Sequence, residues 1–409
     1  MSGTVYTALK ESVRNTVLVF GGTVVSLLIW LVAKVLIVRS ITKEEFGIYS
    51  FVVALANISF MFSGLWLREG VTRYISIYLG EDKKDYAERT AISGLQIGLL
   101  SSLVSCIFIL SFSDLISGGI FDRPELEKPI RIISLSIPFA VMAHITGAVL
   151  RGYNNIKPKV YCLDLGQPLF FLVLIFFFYF FELHLENVLF AYLLSIIMVF
   201  FVIEIYGYKK LRFNRFLIKK KVQTNGLISF SIPLFAEGII GIVLAWTDIL
   251  MLGRYSSVED VGVYSVSASL AMLLTLPLGA LNYVFMPIAG AMYAKGSYGE
   301  LKRVYQVLTK WSFAATLPIF FMFLIFPEAV ISYVFGEQYV VSAMPLRILS
   351  LGFLVQTLLG ALFPLMIIYG MSKAIMNISA FGALLNIILN YLFIKKLGYG
   401  IMGAAFATM

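Results

Sequence analysis

Eleven apolar runs of roughly twenty residues follow one another along the chain, at about 15–38, 45–66, 89–111, 131–150, 159–181, 185–207, 228–252, 261–284, 304–326, 343–368 and 374–394. A bilayer's hydrocarbon layer is about 30 Å thick, and a helix rising about 1.5 Å per residue crosses it in about twenty residues. Inside that layer no water pairs with backbone N–H and C=O groups, so a segment of this length must satisfy them itself, as a helix. The expected fold is therefore an all-α polytopic membrane protein. A twelfth run begins near Ile401 and stops at Met409. Two turns ending in lipid would leave carbonyls unpaired, so helix 12 is expected to be truncated.

Composition narrows the function. Of the 409 residues 60% are hydrophobic and 13% charged, about half the charge of a soluble domain. The 35 Phe and 22 Tyr suit lipid-facing walls and interfacial belts. The net charge of +9 invites a nucleic-acid reading, which the placement of the charges argues against. Counting loops with the N-terminus inside, 22 of the 32 Lys and Arg fall on the cytoplasmic side, nine outside, and Lys34 within the first span. That is the positive-inside asymmetry of a plasma-membrane protein with a cytoplasmic N-terminus. The most basic loop, 208–225, carries Lys209, Lys210, Arg212, Arg215, Lys219, Lys220 and Lys221. It serves as a topology anchor and as a contact for anionic lipid. The first apolar run follows Arg14 without a small-residue cleavage site, so it reads as a retained helix.

Catalytic chemistry is not indicated. Cys106 and Cys162 lie in apolar runs, His144 and His184 stand apart, and no phosphate-binding Gly-x-x-x-x-Gly-Lys loop occurs. Neither a cofactor nor a metal is expected. Energy for any transport must come from a Na⁺ or H⁺ gradient, or from supply and removal of substrate.

A polar loop is repeated in register. Arg39-Ser-Ile-Thr-Lys-Glu-Glu-Phe-Gly-Ile-Tyr-Ser50 aligns without a gap on Arg254-Tyr-Ser-Ser-Val-Glu-Asp-Val-Gly-Val-Tyr-Ser265, at an offset of 215 residues. Arg39/Arg254, Glu44/Glu259, Gly47/Gly262, Tyr49/Tyr264 and Ser50/Ser265 are identical, and Glu45/Asp260 keeps its charge. Arg131-Ile-Ile-Ser-Leu135 matches Arg347-Ile-Leu-Ser-Leu351 at an offset of 216. Apolar helices resemble one another cheaply; polar loops do not. Each half has six spans, an even number, so the two copies point the same way. The expected architecture is two parallel six-helix lobes about a central cavity, related by an axis along the membrane normal. The lobes are 1–207 and 226–409, joined by the basic loop 208–225.

Three passages give the chain a family likeness: Asn15-Thr-Val-Leu-Val-Phe-Gly-Gly-Thr23 with Glu44-Glu45-Phe46-Gly47-Ile48-Tyr49, then Leu150-Arg-Gly-Tyr-Asn154, then Gly398-Tyr-Gly-Ile-Met-Gly-Ala-Ala405. In their order and spacing they resemble the polysaccharide-export and oligosaccharide-flippase branch of the multidrug/oligosaccharidyl-lipid/polysaccharide (MOP) exporter superfamily. The resemblance extends over essentially the whole chain. It implies a MATE-like fold of 12 to 14 spans and movement of lipid-linked sugars from inner to outer leaflet. Membrane lipids and glycan-assembly enzymes are the partners it implies. Peptidoglycan-precursor flippases of this fold differ, because the first span here has Lys34 in place of their Arg-Asp-type pair.

Polar residues in or at the ends of spans are the candidate sites, since a charge at the bilayer centre costs about 3 kcal/mol even on lenient scales. Lys34 is a candidate phosphate contact on the cavity wall, or a lysine snorkelling to the headgroups. Arg68, Arg73 and Arg151 follow spans two and four; an arginine fork suits a diphosphate, and their plainer reading is topology charge. Glu237 and Asp248 lie about 20° apart around span seven and form one polar stripe, with ion coupling as their candidate role and substrate contact as a second role for Asp248. Glu237, one turn after the helix-loosening Pro233, is expected to dominate, with Asp248 nearer the outer water and cheaper to charge. Through the repeat Asp248 corresponds to Ala33, beside Lys34, and Glu237 to Gly22. Trp246 is a candidate sugar platform beside its reading as a packing residue. His144 reads as a hydrogen-bonded packing group. The functions in competition are a flippase of lipid-linked oligosaccharide, an ion-coupled multidrug or small-solute antiporter, and a membrane-embedded glycan polymerase. The short outer loops, the longest near 112–130, count against the polymerase.

Overall fold

A computed structural model describes residues 3–64, 67–211 and 227–409. Every regular element described is helical. Among the described residues eleven candidate spans are long and apolar enough to cross a membrane: Val19–Ser40, Lys43–Gly80 (described as the helices Lys43–Gly64 and Leu67–Gly80), Lys84–Ser111, Pro124–Gly152, Lys159–Tyr179, Leu185–Lys209, Gly238–Tyr255, Val258–Asn282, Tyr298–Ile325, Glu337–Ile368 and Ser372–Lys396. A further helix, Gly400–Thr408, follows. The outside of the molecule is apolar: Leu100, Phe180 and Tyr333 are among many large side chains left open, as lipid contact requires. Of the basic loop 208–225, residues 212–225 fall outside those described.

The second run departs most from its sequence boundaries. Past the expected end at 66 a helix, Leu67–Gly80, continues toward the next span. Its stripe of Leu67, Gly70, Val71 and Ile75 is buried while Arg73, Ser76 and Ile77 face outward. The buried stripe packs on the helix Ser136–Gly152. Hydroxyls fasten the pair: Thr72 Oγ1 donates to the Ala148 carbonyl at 2.9 Å and Ser76 Oγ to that of Gly152 at 3.2 Å. Gly152 is required there, because a Cβ would come within 2.8 Å of Ile75.

The repeated polar loop has a local cause. Thr42 and Ser257 are matching helix starts, one residue ahead of Lys43 and Val258. The Glu45 N–H donates to Thr42 Oγ1 at 3.2 Å, and the Thr42 N–H donates back to Glu45 Oε2 at 3.0 Å. This reciprocal capping box satisfies two of the N–H groups a helix start leaves open. In the second copy the Asp260 N–H donates to Ser257 Oγ at 3.0 Å, while the shorter Asp260 carboxylate accepts from Ser256 Oγ. The arginine pair of the repeat is also used alike. Arg131 pairs with Glu127 at 2.6 Å and donates to Ser113 Oγ at 2.8 Å. Arg347 pairs with Glu328 at 3.1 Å and donates to the Leu324 carbonyl at 3.0 Å.

The chain divides into two compact units, Gly21–Ile242 and Val243–Met409, the latter joined by the chain start as far as Phe20. The first has a core cluster of Ala143, Leu150, Leu163, Val199 and Ile203. The second has one of Phe285, Ala289, Leu301 and Ala361.

Candidate functional site

Two polar constellations stand out, one in each unit. In the Val243–Met409 unit the centre is Asp248, which is 7% exposed. Its carboxylate accepts from Tyr264 Oη at 2.5 Å, Thr408 Oγ1 at 2.5 Å and Asn390 Nδ2 at 2.8 Å. Three other helices therefore reach this one carboxylate, and Asn386, one turn before Asn390, ties two of them together by donating to the Ala407 carbonyl at 3.3 Å and approaching Thr408 Oγ1 at 3.5 Å. Nearby, Asn386 Oδ1 and Asn390 Oδ1 are buried with no hydrogen-bond partner. A buried unsatisfied oxygen costs about 1–3 kcal/mol, and amide and carboxylate oxygens are hard donors of the kind a small cation takes. A proton needs only the carboxylate. Among the described residues there is no group of three or more His, Cys, Asp or Glu that would hold a transition metal.

Burial of Asp248 bears against the expectation that it is cheap to charge. Three elements close over it, and only the donors they bring offset its desolvation. Trp246 is half-buried on the same helix and contributes none of these bonds. Glu237 lies on the helix Leu227–Tyr255, with its side chain outside the described residues.

The repeat gives the Asp248 set a counterpart of opposite character. Tyr264 corresponds to Tyr49 and Asp248 to Ala33 at an offset of 215, and Thr408 to Tyr192 at 216. In the Gly21–Ile242 unit the two tyrosines pack among aromatics. Tyr49 stacks on Phe171 with centroids 6.4 Å apart, Phe171 meets Tyr192 edge-on at 6.0 Å, and Trp30 lies 5.0 Å from Phe171. Where one copy holds a carboxylate among amides, the other holds rings.

The first unit's polar groups gather elsewhere, along the Leu67–Gly80 and Ser136–Gly152 pair. Arg151 Nε donates to Thr72 Oγ1 at 3.2 Å, and its Nη2 lies 3.9 Å from Glu69 Oε1. One turn before Thr72, Arg68 reaches His144 Nδ1 at 3.5 Å and lies over the Phe60 ring at 5.7 Å. Arg68 and Arg151 thus share one helix pair. Arg73 points away, exposed, over the ring of Tyr74. Lys34 is half-buried on the first span, with Nζ 5.8 Å from the centre of the Phe46 ring. His144 is the packing group expected, and its partner is Arg68. Asp164 pairs with Lys159 at 3.0 Å, and Glu204 accepts from Thr146.

Sequence reasoning missed Tyr264, Asn386, Asn390 and Thr408 as site residues. Tyr264 was visible only as part of a repeated loop. The two asparagines are uncharged but stand four apart in an apolar run, on one helix face. Thr408 was marked by a short echo, Phe190-Ala191-Tyr192 against Phe406-Ala407-Thr408.

Compared with known proteins, residues 12–293 match the family model described as polysaccharide biosynthesis protein. The chain belongs to that family. Residues 233–392 also match the MatE model. Among curated relatives of this family member is an uncharacterised membrane protein of Methanocaldococcus jannaschii, 24% identical over 92% of the chain and 76% of that protein. Another, from Shigella flexneri and named as a candidate O-antigen transporter, is 23% identical over 96% of the chain and 93% of its own length. Of solved structures, an inward-facing multidrug-resistance MATE transporter of the MOP superfamily superposes with a TM-score of 0.78 at 15% identity, covering 93% of this chain and 90% of that one. The lipid II flippase MurJ, inward closed, gives 0.74 at 16% identity, covering 95% and 84%. The family member has the MATE/MOP fold and is a multi-span transporter.

Proposed function

We propose that the protein flips a lipid-linked oligosaccharide, or a related polyprenyl-phosphate sugar, across the cytoplasmic membrane by alternating access of two six-helix lobes, 1–207 and 226–409. The N-terminus and the basic loop 208–225 lie in the cytoplasm. The observation that carries the reading is the division of chemistry between the repeats. Cations gather in the first: Arg68 and Arg151 on one helix pair, with Lys34 on the first span and Arg73 at the rim. These suit a diphosphate, which an arginine fork binds through two parallel charge-assisted bonds. A carboxylate among neutral oxygens lies in the second and suits a driving cation, Na⁺ or H⁺, at Asp248, with Glu237 as a further coupling group and Trp246 as a sugar contact. The family, and relatives named for O-antigen transport and lipid II flipping, support the substrate class. Glycan-assembly enzymes are the partners that would load and unload such a carrier.

The second reading, an ion-coupled multidrug or small-solute antiporter, is favoured by the MatE match and the MATE superposition. Reconstitution separates the two. Proteoliposomes holding a fluorescent lipid-diphosphate sugar should show its arrival at the opposite leaflet, faster with an imposed Na⁺ or H⁺ gradient. Arg151→Ala should slow arrival about tenfold or more at limiting substrate, the value of a hydrogen bond to a charged group. Transport of cationic drugs with no movement of the lipid-linked sugar would replace this reading by the antiporter.

A further inference from the structure

Inside the Gly21–Ile242 unit two adjoining hollows share Phe60 and His144 as walls. Both hollows are open on one side; counted with the open space at their mouths, the larger spans about 360 Å³ and the smaller about 270 Å³. Together they form one groove running from Arg68 at one end to Tyr192 at the other. Its polar lining is neutral and varied: Asn57, Ser136, His144, Gln167 and the Tyr192 hydroxyl, brought by four different spans. These supply amide donors and acceptors and hydroxyls without a formal charge. His144 adds a fixed donor. A guanidinium can only donate, so the ring meets Arg68 through the Nδ1 lone pair and keeps its proton on Nε2. Phe60 stands against His144, with ring centroids 4.9 Å apart, and offers a flat apolar wall.

A sugar ring has the complementary make-up. Its edge carries hydroxyls that both donate and accept, and its faces carry C–H groups that lie flat on an aromatic wall. A drug cation would call for a carboxylate, which the groove's lining lacks, and a free anion would call for more than the single guanidinium at its end. We infer that this groove seats the sugar nearest the phosphate in the lipid-linked substrate, with Arg68 at the sugar–phosphate junction. The assignment rests on the flippase reading and adds to it the place where the glycan itself, rather than its phosphate, is recognised. Specificity then lies in the choice of amides and hydroxyls along the groove.

Binding to the full chain in nanodiscs tests this with two probes, a short-chain isoprenyl diphosphate and the same diphosphate bearing one N-acetylhexosamine. The wild type should bind the sugar-bearing probe about tenfold more tightly, the worth of one or two net hydrogen bonds. Gln167→Leu and Ser136→Ala should each remove several-fold of that preference and leave the bare diphosphate unaffected. Ala140→Leu, which fills the groove without touching its polar groups, should do the same, so the test survives poor folding of either polar variant. Arg68→Gln should weaken both probes. Equal affinity of the wild type for the two probes, or variants that shift both together, would overturn the groove assignment while leaving the flippase reading intact. A wild type that binds neither probe would remove the flippase reading, and this assignment with it.

Discussion

The Asp248 carboxylate accepts three hydrogen bonds from neutral donors and lies beside two amide oxygens that have none. Replacing it by asparagine keeps the shape but removes the charge and one acceptor oxygen, so the Tyr264 and Thr408 hydroxyls must turn from donating to accepting. Asp248→Asn should therefore lose the response of transport to a Na⁺ or H⁺ gradient and also cost about 1–3 kcal/mol of stability, measured as gradient-dependent uptake and as a detergent melting curve. Tyr264→Phe removes one donor and leaves the charge, so it should weaken the gradient response less than Asp248→Asn does. A normal gradient response in Asp248→Asn would pass the coupling role to Glu237, where Glu237→Gln is the matching test. Lys34 offers a second separation. As a phosphate contact, its replacement by Ala should reduce transport at limiting substrate about tenfold or more, since a charge-assisted bond is worth about 1.5–3 kcal/mol. Unchanged transport in Lys34→Ala would leave it a lysine packed on Phe46.

At the scale of helices, the duplicated loops are matching capping devices with unequal strength. Thr42 and Glu45 serve each other in both directions, whereas Ser257 receives the Asp260 N–H and the Asp260 side chain turns to Ser256. An N-cap hydroxyl is worth about 1 kcal/mol, so Thr42→Ala should lower stability by more than Ser257→Ala, as thermal unfolding of the two variants will measure. Span order, the repeat and the helical nature of the described spans were legible in the sequence, because lipid admits few alternatives and a polar loop cannot recur by apolar likeness. The extension Leu67–Gly80 was not, because its exposed and buried stripes average to an unremarkable hydropathy. The Asp248 set was half legible. A carboxylate in an apolar run announces itself, but Asn386 and Asn390 carry no charge, and nothing in their spacing says which carboxylate they face. Glycine 152 is a contact of the same hidden kind. Gly152→Ala drives a methyl into Ile75 and should cost about 1–3 kcal/mol, with loosening of the neighbouring Arg151–Thr72 bond seen as weaker substrate binding.

For the whole molecule, sidedness is the claim most exposed to experiment. Glu125 and Glu300 are both exposed and lie at the starts of spans that enter from opposite sides in the proposed topology. Cysteine at 125 should react with an impermeant maleimide added outside, and cysteine at 300 only after the cytoplasmic face is opened; the reverse pattern would invert the protein in the membrane. The neutral company of Asp248 has an electrical consequence. Loading by a proton or by Na⁺ alike changes the charge of its surroundings by one unit, and the hydrogen-bonding partners it has are hydroxyls and an amide that cannot cancel the change. Empty and loaded forms thus differ by one charge, and a charge carried across the full membrane field is worth about 2.3 kcal/mol per 100 mV. Resting voltage will then favour one leg of the cycle over the other, and a current should accompany turnover even when the sugar carried is itself neutral.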